Sequence, residues 1–215
     1  EFLTYMSLKK SLLILTLILV LDQVSKIYIK LNFPLTLYGQ AALVDWGWFK
    51  ILFVENKGMA WGAKINDFIP FISERTGKLM LTSFRVFAVP IIFFWLYDSI
   101  KRSESKLLTL SITLILAGAI GNLIDSVFYG YLFTESYLNV ATLSAGNGYD
   151  NLFFGNVVDM LQFPLFDWYW PSWIPFIGGN HFTFFDPVFN LADTSISTGI
   201  GIMIVFYKRV FPQNT

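Results

Sequence analysis

Along the chain, apolar residues gather in four long runs, over roughly 8–31, 78–98, 106–128 and 189–207. Each approaches the about 20 residues that a helix needs to cross a bilayer, so the pattern predicts four membrane helices. The first run opens with Lys9 and Lys10, continues from Leu12 to Leu21, and passes straight into Asp22-Gln-Val-Ser-Lys26. No small-residue cleavage site interrupts it, which favours an uncleaved helix over a secretory leader. Residues 1–5 precede Met6 and are set aside as an upstream remnant or alternative start, and 212–215 as a tail. No repeat or low-complexity linker divides 6–211, so one membrane-embedded domain is expected.

The segments between the runs carry different patterns. In the first long loop, about 32–77, the stretch Val44–Val54 is rich in aromatic and β-branched residues and meets Asn56-Lys57-Gly58. That reads as strand, turn, strand, a small sheet on the outer surface. The second, about 129–188, is dominated by Gly, Asn and aromatics, as in Phe166-Asp-Trp-Tyr-Trp-Pro-Ser-Trp173. Amphipathic rings at this density fit the membrane–water boundary, either as plain anchors or as a platform for lipid or substrate. His181, beside Gly178-Gly-Asn180, reads as a solvated or interfacial loop residue.

Composition agrees with a bilayer as the main solvent: 55% of residues are hydrophobic and only 14% charged. The net charge is zero, so no overall field favours nucleic acid. The absence of cysteine excludes disulfides, thiolate nucleophiles and Cys-type zinc sites, and a single histidine leaves no multi-histidine metal site. Hydrolytic chemistry would therefore rest on carboxylates, hydroxyls or lysine. The basic residues also orient the chain. Lys9 and Lys10, then Lys101, Arg102 and Lys106, then Lys208 and Arg209 fall on one side if the spans alternate. Both termini are expected in the cytoplasm and both long loops outside.

Polar residues inside apolar spans are costly and usually face a bundle interior where they pair or work. Asp22 and Lys26 lie four apart on one face of the first span, in its outer half. Arg85 falls in the outer half of the second, Asn122 and Asp125 close the third, and Asn190 and Asp193 open the fourth. All sit toward the same membrane face, which predicts one polar site there. Asp159, between apolar neighbours, belongs with these acids or is a helix cap or loop acid. Two carboxylates held together in low dielectric cannot both ionise readily, so one keeps a proton near neutral pH. That division suits an aspartic peptidase, in which one acid activates water and the other supports the carbonyl oxygen.

The successive segments Asp22-Gln-Val-Ser-Lys26, Asn56-Lys-Gly58-Met-Ala60, Gly118-Ala-Ile-Gly-Asn122-Leu-Ile-Asp125, Val157-Val-Asp159 and Phe189-Asn190-Leu-Ala-Asp193 resemble the ordered motifs of the bacterial lipoprotein signal peptidases (signal peptidase II). The resemblance spans nearly all of Met6–Tyr207. It implies a four-helix, all-α membrane aspartic endopeptidase with a small extracytoplasmic sheet, in the bacterial inner membrane, acting without metal or cofactor. Asp159 and Asp193 would be the catalytic dyad. Asn56, Asn122 and Asn190 would hold the substrate backbone and orient the acids, supported by Asp22 and Lys26, with Gly58, Arg85 and Asp125 in the same surround. The substrate would be a diacylglyceryl-modified prolipoprotein cut on the amino side of its lipidated cysteine. Partners would be that substrate, membrane lipids and globomycin-type inhibitors; no nucleic acid is expected, and a monomer suffices.

The chain departs from that family where many members carry arginine after Asn-Leu-Ile-Asp; here the residue is Ser126. Arg85, at similar depth, is the candidate to supply the missing cation. Residues 130–155 and 162–188 are longer than the family's usual links and suggest an enlarged outer lid. Two other readings compete. An ion-coupled carrier would also bury Asp and Asn, but would usually place them near the midplane with repeat symmetry. A Ser/Lys peptidase is suggested by Ser25 beside Lys26, yet adjacent helical residues point in different directions.

Overall fold

The computed structural model describes residues 5–37, 40–58, 64–69 and 71–212. Residues 1–4, Met59 and Ala60 of the Asn56-led motif, and 213–215 of the tail lie outside the described residues. Helix α1 spans Leu8–Asn32, α3 Glu74–Lys101 and α4 Lys106–Ile124, with the short α2 at Ile65–Phe68. Ser7, Ser73 and Ser105 each cap a long helix by accepting a backbone N–H through the side-chain oxygen. Helices α1, α3 and α4 with its extension are long and apolar enough to cross a membrane. The last apolar helix, α6 (Leu191–Val205), is shorter than its 189–207 run; the backbone breaks at Phe206 and resumes as α7, Tyr207–Val210.

Burial along α1 is inverted relative to a water-soluble helix. Leu12, Leu13, Leu17, Leu21 and Val24 face outward, whereas Ser11, Asp22, Lys26 and Lys30 are buried. A helix can expose leucine and bury lysine only where its outside is apolar, so the pattern marks a lipid-facing surface. Helix α4 is the central member, with 56% of its apolar window buried against 17% for α1 and 11% for α3. It packs closely on α6 because glycines and serines line the contact. A Cβ on Gly118 would stand 2.2 Å from the Ala192 carbonyl oxygen, and one on Gly199 2.7 Å from that of Ser111.

The end of α4 does not stop where its α-helical hydrogen bonding does. Asp125–Tyr129 form a π-helical turn, followed by α5, Gly130–Leu132. Ser126 O and Val127 O accept hydrogen bonds from Gly155 N and Phe153 N, both at 2.9 Å. The loop through 155 is thereby tied onto the helix end. Gly155 is needed there, since a Cβ would lie 1.9 Å from the Asp125 carbonyl oxygen.

The small sheet differs from the strand–turn–strand expected within the first loop. Strands β1 (Val44–Asp45) and β2 (Lys50–Asn56) form a tight hairpin turned at Gly47, and the third strand, β3 (Val157–Gln162), comes from the second loop. The order is β1-β2-β3, antiparallel, with Val54 opposite Asp159 and Asn56 opposite Val157. A second, two-stranded ribbon pairs β4 (Phe166–Tyr169) with β5 (His181–Phe184). His181 accordingly sits in a strand rather than a loop, exposed, within 3.7 Å of Asp167. The core behind the three-stranded sheet holds Ile29, Phe53, Tyr129, Phe133, Val158 and Met160.

Candidate active site

The side chains of a strand alternate between faces. Asn56 and Asp159, two positions apart diagonally across the β2–β3 ladder, therefore share one face, while Phe53, Glu55, Val158 and Met160 share the other. Asn56 Nδ2 donates to Asp159 Oδ2 at 3.1 Å, and its Oδ1 accepts from Gly58 N at 2.9 Å, so the buried Gly58 turn holds the amide in place. Asp159 is only 2% exposed, in a strand and not at a helix cap or in a loop.

Asn190 joins this acid to the next. It is fully buried at the N-cap of α6, where its Oδ1 accepts from Asp193 N at 2.9 Å and its own N–H faces Asp193 Oδ2 at 3.3 Å. This reciprocal cap satisfies two helix-end donors and fixes the rotamer of Asp193. Asn190 Nδ2 then reaches Asp159 Oδ1 at 2.7 Å. One asparagine side chain thus spans the two aspartates. Asp193 is partly open, unlike Asp159. Burial first, and then the neighbouring Asp193 carboxylate, push the Asp159 carboxyl up to about 7, against the opposing hydrogen bonds from Asn56 and Asn190.

A second layer fixes the first. Lys26, fully buried, lies 2.8 Å from both Asp22 Oδ2 and Asp125 Oδ2, and its ammonium donates to Asn122 Oδ1 at 3.1 Å. With that oxygen facing a cation, the amide nitrogen of Asn122 must turn the other way, and it donates to Asp193 Oδ1 at 2.8 Å. The two acids around one lysine are relieved by further donors. Gln23 Nε2 reaches Asp22 at 3.1 Å and Asp125 at 3.0 Å, and Ala192 N at the start of α6 reaches Asp22 Oδ1 at 3.0 Å. Asp22 and Asp125 are therefore anchors for Lys26 and α6 and do not touch the Asp159–Asp193 pair.

Arg85 reaches across from α3 and donates to Ser126 Oγ at 2.6 Å. Ser126 passes a hydrogen bond to Asn122 O at 2.7 Å, which links the guanidinium to the helix carrying Asn122. Among the described residues no group of three or more His, Cys, Asp and Glu is arranged as a metal site.

Sequence reasoning missed Gln23 and a second buried polar cluster on the other face of the sheet. There Lys30, fully buried, pairs with Glu55; Ser136 Oγ and Asn156 Nδ2 also donate to Glu55, at 2.9 and 2.8 Å. Lys78 bonds Asn156 Oδ1 alongside. The signal was present: Asp22, Lys26 and Lys30 follow each other at helical four-residue spacing. A cavity of about 690 Å³, lined by Glu55, Arg75, Lys78, Glu135 and Asp150 among others, lies on this Glu55 face, away from the aspartate pair.

The chain as a whole is similar to known proteins. The family described as signal peptidase (SPase) II matches residues 14–134 and 137–209. A lipoprotein signal peptidase of Porphyromonas gingivalis is 43% identical over 91% of this chain and 81% of its own length. Another, of Amoebophilus asiaticus, is 36% identical over 92% of this chain and 76% of its own. A bacterial membrane enzyme solved by the in meso method superposes with a TM-score of 0.60 at 21% identity, covering 100% of this chain and 97% of that one, which shows a shared fold. The chain belongs to the signal peptidase II family.

Proposed function

We propose that this protein removes signal peptides from diacylglyceryl-modified prolipoproteins, cleaving on the amino side of the lipidated cysteine with Asp159 and Asp193 as the catalytic pair. The observation that carries the reading is Asn190, whose side-chain amide donates to the Asp159 carboxylate while its backbone N–H faces the Asp193 carboxylate, so that one residue sets both acids around one point of attack. Asp159, with its carboxyl raised to about 7, is the member that holds the proton near neutrality and donates to the scissile carbonyl oxygen. Asp193, more open and held by Asn122, takes a proton from water as the water oxygen adds to the carbonyl carbon. Collapse of the tetrahedral intermediate breaks the C–N bond; the proton taken up passes to the amine of the cysteine. Asn56 and Asn122 keep the acids oriented, and Arg85 replaces the family cation through Ser126.

In the same reading four segments cross the inner membrane, the fourth being α6 with α7. About 20 residues from 191 to 210 give roughly 30 Å of helix, the thickness of the hydrocarbon layer. The basic clusters around Lys9, Lys101 and Lys208 then lie in the cytoplasm, and the three-stranded sheet outside, beside the acids. Globomycin-type inhibitors would compete at the same site, and a monomer carries every residue invoked.

The test uses enzyme in detergent with a synthetic diacylglyceryl-cysteine peptide. Wild type cleaves before the modified cysteine, and Asp193→Asn lowers turnover by at least about 10³-fold while leaving the melting temperature within a few degrees. Cleavage retained by Asp193→Asn would remove the pair from the mechanism.

A further inference from the structure

The ribbon of β4 and β5 has two chemically different faces. Its register sets Phe166 opposite Phe184 and Trp168 opposite Phe182, while Asp167 faces Thr183 and Tyr169 faces His181 on the other side. Alternation therefore puts Phe166, Trp168, Phe182 and Phe184 on one surface, with Trp170 continuing it. The rings touch: Trp168 and Phe182 are 4.6 Å apart by centroid, and Trp170 lies 5.5 and 5.8 Å from them. The opposite surface is hydrogen-bonded and polar, with Thr183 Oγ1 donating to Asp167 Oδ1 at 2.7 Å.

Phe166, Trp168, Phe182 and Phe184 on the aromatic face each remain at least a third exposed. Among the described residues the ribbon pairs with no third strand and packs on no helix to a significant extent. Phe166 is 66% exposed, and at the tip Trp173 and Phe176 are 78% and 103% exposed. A two-stranded ribbon is marginal in water by itself, and a contiguous aromatic surface of this kind requires an apolar partner. Charge narrows the partner. From 166 to 185 there is no Lys, Arg or Glu, and the one Asp and one His, Asp167 and His181, both lie on the polar face. The root of the ribbon fixes its height. Phe189, just after β5, bonds back to Leu161 of β3 and immediately precedes Asn190, where α6 begins. The ribbon thus leaves the protein beside the start of the apolar helix α6.

We propose that the β4–β5 ribbon is a membrane-inserted arm: its aromatic face and tip lie in the headgroup–acyl boundary of the leaflet nearest Asp159 and Asp193, with the Asp167 face turned to water. Tryptophan prefers that boundary because its ring is apolar and its N–H can still reach headgroup oxygens. The inference needs the membrane-spanning fold and is independent of the peptidase reading.

The chain contains no cysteine, so single nitroxide labels can be placed directly. Phe176→Cys, Phe184→Cys, Asp167→Cys and Thr183→Cys are each labelled in the full-length protein and reconstituted in phosphatidylcholine–phosphatidylglycerol bilayers. Electron paramagnetic resonance then compares collision with dissolved oxygen and with a water-soluble nickel chelate. Labels at 176 and 184 should meet oxygen several-fold more often than nickel, and labels at 167 and 183 the reverse. Equal nickel access at all four positions would put the arm in water and overturn the proposal. Exclusion of both reagents from 176 and 184 would show a protein cover instead, and would overturn it equally. Circular dichroism of each variant, unchanged from wild type, guards against unfolding as the cause.

Discussion

At the scale of single residues, burial is what separates chemically identical aspartates. Asp159 carries a carboxyl raised from 3.8 to about 7. Below pH 4 the group is protonated whether the chain is folded or not. Between pH 4 and 7 only the unfolded chain ionises, so stability falls as pH rises, and above 7 the cost is complete. Asp159→Asn should therefore abolish cleavage and yet raise the melting temperature by a few degrees at pH 8, with the gain vanishing near pH 4. Thermal scans across that range check it. Glu55 shows the opposite sign. Burial works against its charge, but Lys30, with help from Asn156 and Ser136, wins and holds the carboxyl below 4.5. Its contribution is present above 4.5 and is lost as pH falls through the lowered value. Glu55→Gln leaves Lys30 buried without an anion and should lower the melting temperature by roughly 10 °C at pH 7, with a smaller acid-dependent loss than wild type.

At the scale of elements, the α4–α6 contact sets where Asp193 stands. Gly118 meets the Ala192 carbonyl, one residue before Asp193, and Ser195 Oγ donates to Leu114 O at 2.7 Å. Gly118→Ala must push the helices apart, and should cost about 1–3 kcal/mol of stability along with most of the activity. Gly201→Ala, whose added Cβ meets nothing within 4 Å, should change neither; paired melting and turnover assays distinguish the two. The long helices were readable in the chain because apolar runs of this length have few other solutions. The π-helical turn at Asp125–Tyr129 was not, since it depends on Gly155 and Phe153 arriving to take up the carbonyls. The third strand was equally hidden: Val157–Gln162 pairs with residues about a hundred positions earlier, and local pattern carries no record of such a partner.

At the scale of the whole molecule, polar groups from α1, α3, α4, β2, β3 and the start of α6 converge at one end of an otherwise apolar bundle. The basic clusters lie at the opposite ends of the helices. In the proposed topology, Asn139→Cys should react with a membrane-impermeant maleimide added to intact cells, and Lys10→Cys only after lysis. Reaction of both from outside would reverse or break that arrangement.

The sequence by itself determined the apolar spans, the stripe of costly residues along each, and the five motif segments whose order marks the family. Spacing along a helix and the expense of charge in lipid are local properties, so they can be read from local pattern. Only the tertiary structure decided which polar residues share a cluster. Asp22 and Asp125 turn to Lys26, Asp159 and Asp193 turn to Asn190, and Glu55 turns away from its neighbour Asn56 to meet Lys30. Those choices depend on the face each strand residue presents and on where α6 begins against α4. Both arise from contacts between segments distant in the chain.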